Sequence, residues 1–219
     1  MSVVRALAVI IAVAVVAAPA AAAAKKKPPT SGVHHTDAGN AAARRALVRV
    51  SDLGSGWSKG ATPKKIGKLT CGSAPPTVAG VVEIGSAITP TYRQSSAGPF
   101  LSQATYIYGG PAQASLFWQH VAGRSALACL AKGVAGGSTK DVSFRVTHEE
   151  LLPKPAGTLS AAYRVVGQAK TTLQKVRVYV DVVLIQRGAA ISELSWSSFS
   201  TPVASSLERR LARAADTRL

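Results

Sequence analysis

Acidic residues are scarce in this chain: 10 Asp and Glu stand against 26 Lys and Arg, a formal charge of +16. That balance favours anionic partners and long-range attraction to them. Cysteine is scarcer still, with only Cys71 and Cys129. No cysteine lies near residues 18–26, which excludes a bacterial lipid anchor on a mature N-terminal Cys. Aromatic residues are 5% of the chain, and no run of them accompanies the basic clusters. The stacking platform of a single-stranded nucleic-acid binder is therefore missing. Catalytic signatures are also absent. There is no G-x-S-x-G elbow and no P-loop, and the glycine pairs Gly109-Gly110 and Gly136-Gly137 have turn contexts only. His148-Glu149-Glu150 is followed by Leu151 and Leu152, so it is not the H-E-x-x-H zinc motif.

The N-terminus supplies the clearest positive signal. Arg5 and the amino terminus precede an apolar run from Ala6 to Ala24, broken only by Pro19. Ala20, Ala22 and Ala24 offer A-x-A cleavage choices. Positive, apolar and small-residue regions in that order predict a signal peptide over residues 1–24. The alternative is an uncleaved N-terminal anchor. Its apolar run is near the lower limit for spanning a bilayer. Lys25-Lys26-Lys27 on the outer side also opposes the usual orientation. Either way the chain is exported, and its working part lies outside the cytoplasm.

Export narrows the readings of charge and cysteine. Anionic lipid headgroups and cell-envelope polymers become the available partners, and nucleic acid is not expected. In an oxidising compartment, two cysteines predict one disulfide, Cys71 to Cys129. Closing such a loop stabilises by roughly 4 kcal/mol in the chain-entropy account.

Residues 25–40 read as a flexible basic tether, rich in Lys, Pro, Gly and Ser without an apolar period. One α+β domain is expected over 41–219. Its first helix is predicted at Ala41–Val50, with Asn40 as N-cap and Leu47 and Val50 inward. A turn at Asp52–Trp57 follows, with Trp57 plugging the core. Strands are predicted at Val81–Thr89 and Leu101–Tyr108. A helix runs from Pro111 to about Ala131, with Ala114, Phe117 or Trp118, Val121, Ser125 and Ala128 on one side, and Cys129 beside them. The remainder alternates with period two. In Lys175–Gln186, Val176, Val178, Val180, Val182 and Leu184 share one face, and Arg177, Tyr179 and Asp181 share the other. Gln186–Ala189 is a hairpin turn, and Leu194 and Trp196 point inward on the return strand. Thr201 and Pro202 open a final helix carrying Leu207 and Leu211, with Arg209, Arg210 and Arg213 on its wet face. The expected fold is α+β: an antiparallel sheet of about five or six strands with helices packed mainly on one face. The other face is mixed, either solvated or one wall of a cleft.

This layout carries a resemblance. A helix, then "DLGSGW" at Asp52–Trp57, a Cys in the next loop, a strand before "GGPAQA" at Gly109–Ala114, a helix with a second Cys, and strands with "QRG" at Gln186–Gly188 follow in order. Over about residues 41–217 the chain resembles exported actinobacterial proteins similar to the extracellular sensor domain of PknH-type serine/threonine kinases. The resemblance implies an α+β domain with a ligand-binding cleft, and a secreted or tethered binding module rather than a catalyst. Such domains usually carry two disulfides, whereas this chain has cysteines for one. No kinase sequence is present, so a direct signalling role does not carry over.

The candidate site residues are few. Trp57, Trp118 and Trp196 are the proposed walls of an apolar pocket, with Tyr106, Tyr163 and Tyr179 as further candidates. Large aromatics in so aromatic-poor a domain serve equally well as core. Asp141, Asp181 and Glu193 are the carboxylates of interest, expected to pair with Arg177, Arg187 or Arg164. His34, His35 and Asp37 are metal-capable but sit in the predicted tether, where no fold would preorganise them. No catalytic residue, metal or cofactor is assigned. The expected function is an exported envelope module binding an apolar or lipidic small molecule. The alternatives are a structural or interaction protein held by its basic surface, and an uncharacterised hydrolase.

Overall fold

The computed structural model describes residues 32–63, 78–136, 138, 143–157, 159–170 and 174–219. The expected signal peptide, Lys25–Lys27, Cys71 and Asp141 lie outside them.

Four strands form the expected meander: β6 (Ser143–Leu152), β7 (Ser160–Lys170), β8 (Lys175–Arg187) and β9 (Ala190–Phe199). Gly188, with φ of 55°, supplies the left-handed geometry of the β8–β9 turn. The N-terminal half joins this meander through β5 (Phe100–Tyr108), which pairs antiparallel with β9 along its length. β3 (Val82–Ile88) pairs with β5, and β1 (Gly32–Val33) lies parallel to β3. The short strands β2 (Ser58–Lys59) and β4 (Tyr92–Arg93) pair with each other, and β4 also meets β5. Among the described residues the sheet thus has nine strands, in the main order β1-β3-β5-β9-β8-β7-β6. The expectation of five or six was too low because the two-residue strands are too short to show a period.

Helices cover both faces, which corrects the one-faced expectation. On the first face lie α1 (Asp37–Arg45), the single turn α2 (Val50–Leu53) and α5 (Ser205–Arg218). They enclose a core of Val48, Leu53, Leu101, Val183, Ile185, Leu194, Trp196 and Leu211. On the second face, α3 (Pro111–Val121) and α4 (Arg124–Gly136) cover Tyr163, Val165, Val178, Val180, Val182 and Leu184. The centre of β8 is therefore apolar on both sides. The period-two reading found only the valine side because Asp181 and Tyr179 disguise the other.

Three helix predictions shift. Residues 32–40 are not tether: Thr36 Oγ1 caps α1 by accepting from Gly39 N at 2.9 Å, and Asn40 Oδ1 instead accepts from Ser86 N at 3.1 Å. Gly39 sits with its backbone against Ile84 and Gly85, a contact that any Cβ at Gly39 or Gly85 would break. Val50, expected inward, is 44% exposed, and Val48 takes its place in the core. The helix predicted over Pro111–Ala131 breaks at Gly123, whose φ is 121°. The break resets the helical phase, so Ala126, Leu127, Leu130 and Val134 face inward while Ser125 and Ala128 are exposed. The last helix starts at Ser205 rather than at Thr201-Pro202, because buried Val203 must first carry the chain from β9 onto the first face. Arg209, Arg210 and Arg213 are exposed, as expected. Among the described residues, no helix is long and apolar enough to cross a membrane.

Candidate functional site

The three tryptophans do not form one pocket. Trp196 is fully buried on the first face, and Trp57 packs half-buried against the same core. Trp118 lies on the opposite face, against the α4 core and a smaller cluster under α3. Sequence spacing could not show this, because the three sit on separate elements whose faces only the sheet register relates.

The two strand carboxylates are also separated by the sheet. The β8–β9 hairpin pairs Asp181 with Trp196 and Leu184 with Glu193. Asp181 therefore shares the first face with Trp196, and Glu193 faces the second. The two-residue turn at Gly188-Ala189 was the signal in the sequence that could have given this parity.

On the first face, Arg164 grips Asp181 with two bonds, Nε to Oδ1 at 2.6 Å and Nη2 to Oδ2 at 2.9 Å. This pair was among those anticipated. Glu208 of α5 joins it, with Oε1 at 3.5 Å from Arg164 Nη2. Burial and the neighbouring Asp181 carboxyl push Glu208 well above the ordinary carboxylate range, against the pull of Arg164 and Arg209. Glu208 and Asp181 are nearly inaccessible, at 4% and 1%. A buried pair completed by a third group from another element fastens α5 to the sheet. Glu208 was missed from the sequence, although its helical spacing from Leu211, Ala212 and Ala215 places it on the buried stripe.

Glu193 on the second face is different in kind. It is half-buried, and among the described residues its hydrogen-bond partner is Ser195 Oγ, at 3.1 Å. No Arg or Lys pairs with it there, contrary to expectation. Burial pushes its carboxyl up to about 7, with the Ser195 bond pulling the other way. Ala104 is its cross-strand partner on β5, and Tyr106 stands one pleat further on the same face. Burial raises the Tyr106 hydroxyl well above its ordinary value, and so does the Glu193 charge. Tyr108 is raised in the same direction by burial, Glu83 and Glu193. The Tyr108 hydroxyl is buried without a hydrogen-bond partner. Its ring lies 5.1 Å from that of Phe117, on α3. Phe117 and Trp118 close the cluster from above.

The surroundings of Glu193 are partly open. Ile88, Ser102, Ser195, Ser197 and Phe100 share its face and are half-buried, whereas the neighbouring β8 residues under α4 are fully covered. At the far side of the tyrosines, His35 Nε2 lies 2.9 Å from Glu83 Oε1 and 3.3 Å from Ser86 Oγ. This is the valine side of β8, which the sequence pattern marked as the apolar, covered face; the face expected to be mixed is the one carrying Tyr179 and Asp181. Around Glu193 the second face combines the half-buried hydroxyls of Ser102, Ser195 and Ser197 with a carboxyl that burial pushes up to about 7, beside the buried Tyr106 and Tyr108.

The remaining candidates do not converge. His35 is held by Glu83, and Asp37 lies in the first turn of α1. Tyr163 accepts a bond from Gly123 N at 2.7 Å, a structural role at the α3–α4 break. Tyr179 is half-buried, on the same face as Asp181. His148, Glu149 and Glu150 are exposed on the edge strand β6. Among the described residues, no three His, Cys, Asp or Glu side chains could hold a metal. Cys129 is half-buried on α4 and is not a free thiol; Cys71 lies outside the described residues. No protein-family model matches the chain, and no curated protein matches it.

Proposed function

We propose that the chain is an exported cell-envelope binding module that takes a small molecule on the second face of its sheet, beside Glu193. The carrying observation is the half-buried Glu193 carboxyl with Ser195 as its hydrogen-bond partner, one pleat from Tyr106 on the same face of the sheet. Export rests on the Arg5, Ala6–Ala24 and A-x-A pattern. In that oxidising compartment the reading includes a Cys71–Cys129 disulfide. The module is non-catalytic in this reading.

A second role rests on a separate observation. Arg44, Arg45, Arg49, Arg209 and Arg213 are all exposed on the helices and turns of the first face. This basic layer suits anionic envelope polymers or headgroups and leaves the second face free for the ligand.

Native mass spectrometry of the protein secreted from an actinobacterial host tests the binding reading. A discrete noncovalent adduct, absent from the denatured unreduced protein, supports it and gives the ligand mass. A bare protein with the disulfide mass intact moves the function to the basic surface.

A further inference from the structure

The sheet ends on two unlike edges. β1 is two residues long, a length that blunts its edge. β6 is ten residues long, and among the described residues no strand lies beyond it. Phe144 N donates to Ser138 Oγ at 2.8 Å rather than to β7. Strand alternation therefore turns the Val146 N–H outward, and past an irregularity at Thr147 it turns out those of Glu149 and Leu151. Among the described residues these three have no partner. The irregularity also sets the faces. Val146 stands opposite Gly167 and His148 opposite Val166, so Thr147 is an extra residue. Before it, Phe144 and Val146 lie on the second face. After it, Glu149 and Leu151 lie there, opposite Val165 and Tyr163. Arg145 and Glu150 consequently share the first face. Without the extra residue they would lie on opposite faces.

We propose that β6 is the interface for a second copy of this chain, pairing antiparallel across a two-fold axis between Thr147 and His148, whether or not the second face binds a ligand. In that register Arg145 stands opposite Glu150 of the second copy, Phe144 opposite Leu151, and Val146 opposite Glu149. Symmetry makes each pair twice. Every pair shares a face, and the two bulges meet at the axis. A register moved by two residues sets Arg145 against His148 or against Leu152, and the charge match is lost. A charged, bulged edge ordinarily repels other strands, but this one is complementary to itself. Neither Arg145 nor Glu150 has an ion-pair partner of its own among the described residues. Leu151, 45% exposed, gains Phe144 as cover, and the three outward N–H groups gain carbonyl acceptors. Two such basic chains repel in general, and β6 is where they repel least: with Glu149 and Glu150 against Arg145, it is a net acidic strand.

Sedimentation velocity of the full secreted chain over a range of concentrations tests this. A reversible dimer is expected, micromolar or weaker, because an edge-strand contact is at the small end of protein interfaces. Arg145→Glu and Glu150→Arg each set like charges opposite one another at two places, and each should weaken the dimer roughly tenfold. The two substitutions together exchange the charges and should restore it. Val146→Pro removes an outward N–H and leaves the β7 ladder intact, so it should give a monomer with the parent circular dichroism spectrum. A parent chain that stays monomeric up to about 1 mM overturns the proposal. So does a dimer whose strength follows neither charge reversal, since its contact then lies elsewhere on the surface.

Discussion

Arg218 and Asp52, 166 positions apart, meet through two charge-assisted bonds: Nη1 to Oδ2 at 2.6 Å and Nη2 to Oδ1 at 2.8 Å. Arg218 Nη1 also reaches the Leu47 carbonyl at 3.1 Å. The last turn of α5 is thereby locked to the helical turn α2 and to the loop before it. The Arg218 bond holds the Asp52 carboxyl below its ordinary value, with burial opposing and the Arg49 backbone N–H helping.

Arg218→Ala should therefore destabilise the domain at neutral pH by about 1.5–3 kcal/mol, the range for hydrogen bonds to charged groups. A depressed carboxyl contributes stability above its unfolded value near 3.8 and loses it as pH falls through the lower folded value. The gap between parent and variant should thus be full at neutral pH and close in strong acid. Urea unfolding followed across pH measures it.

Glu193 has the opposite sign. Its folded value of about 7 lies above the ordinary 4.5, so the neutral form is favoured in the fold. That contribution is complete below about pH 4.5 and is lost as pH rises through 7. Glu193→Gln, which cannot ionise, should match the parent in acid and exceed it above neutrality by roughly 1–3 kcal/mol. Unfolding at paired pH values reads the difference. A variant no more stable than the parent in alkali would mean that the carboxylate is well solvated.

Gln103 is a polar residue with no solvent access, and it organises the chain after α1. It accepts from Val48 N at 2.5 Å and donates to the Ala46 carbonyl at 3.1 Å and to Ser192 Oγ at 2.7 Å. Gln103→Leu keeps the bulk and strands the Val48 N–H and the Ala46 carbonyl. The expected cost is about 2–4 kcal/mol, from two buried backbone groups left unsatisfied. Hydrogen exchange at the Val48 amide should accelerate beyond that of the distant β7–β8 ladder.

The meander was legible in the sequence because a strand exposes its period directly. The Val176-to-Leu184 alternation, the Gly188 turn and inward Leu194 and Trp196 needed no partner to be read. The apolar stripe of α5 was legible for the same reason, whereas Arg164 was only one of three arginines the sequence offered to Asp181. What sequence alone determined, then, was local: which residues alternate, where the chain turns, and how strongly the surface is charged.

Tertiary structure decided everything that depends on what lies opposite. The parity of the β8–β9 register put Asp181 and Glu193 on different sides of one sheet. The close passage of Gly39 over Gly85 moved the first helix forward, and the kink at Gly123 turned a new set of residues inward. The same residue type, glutamate, became a helix fastener at Glu208 and a partly open acid at Glu193. The reason is that desolvation and ion pairing are set by atoms distant in the chain, and a one-dimensional pattern carries no record of them.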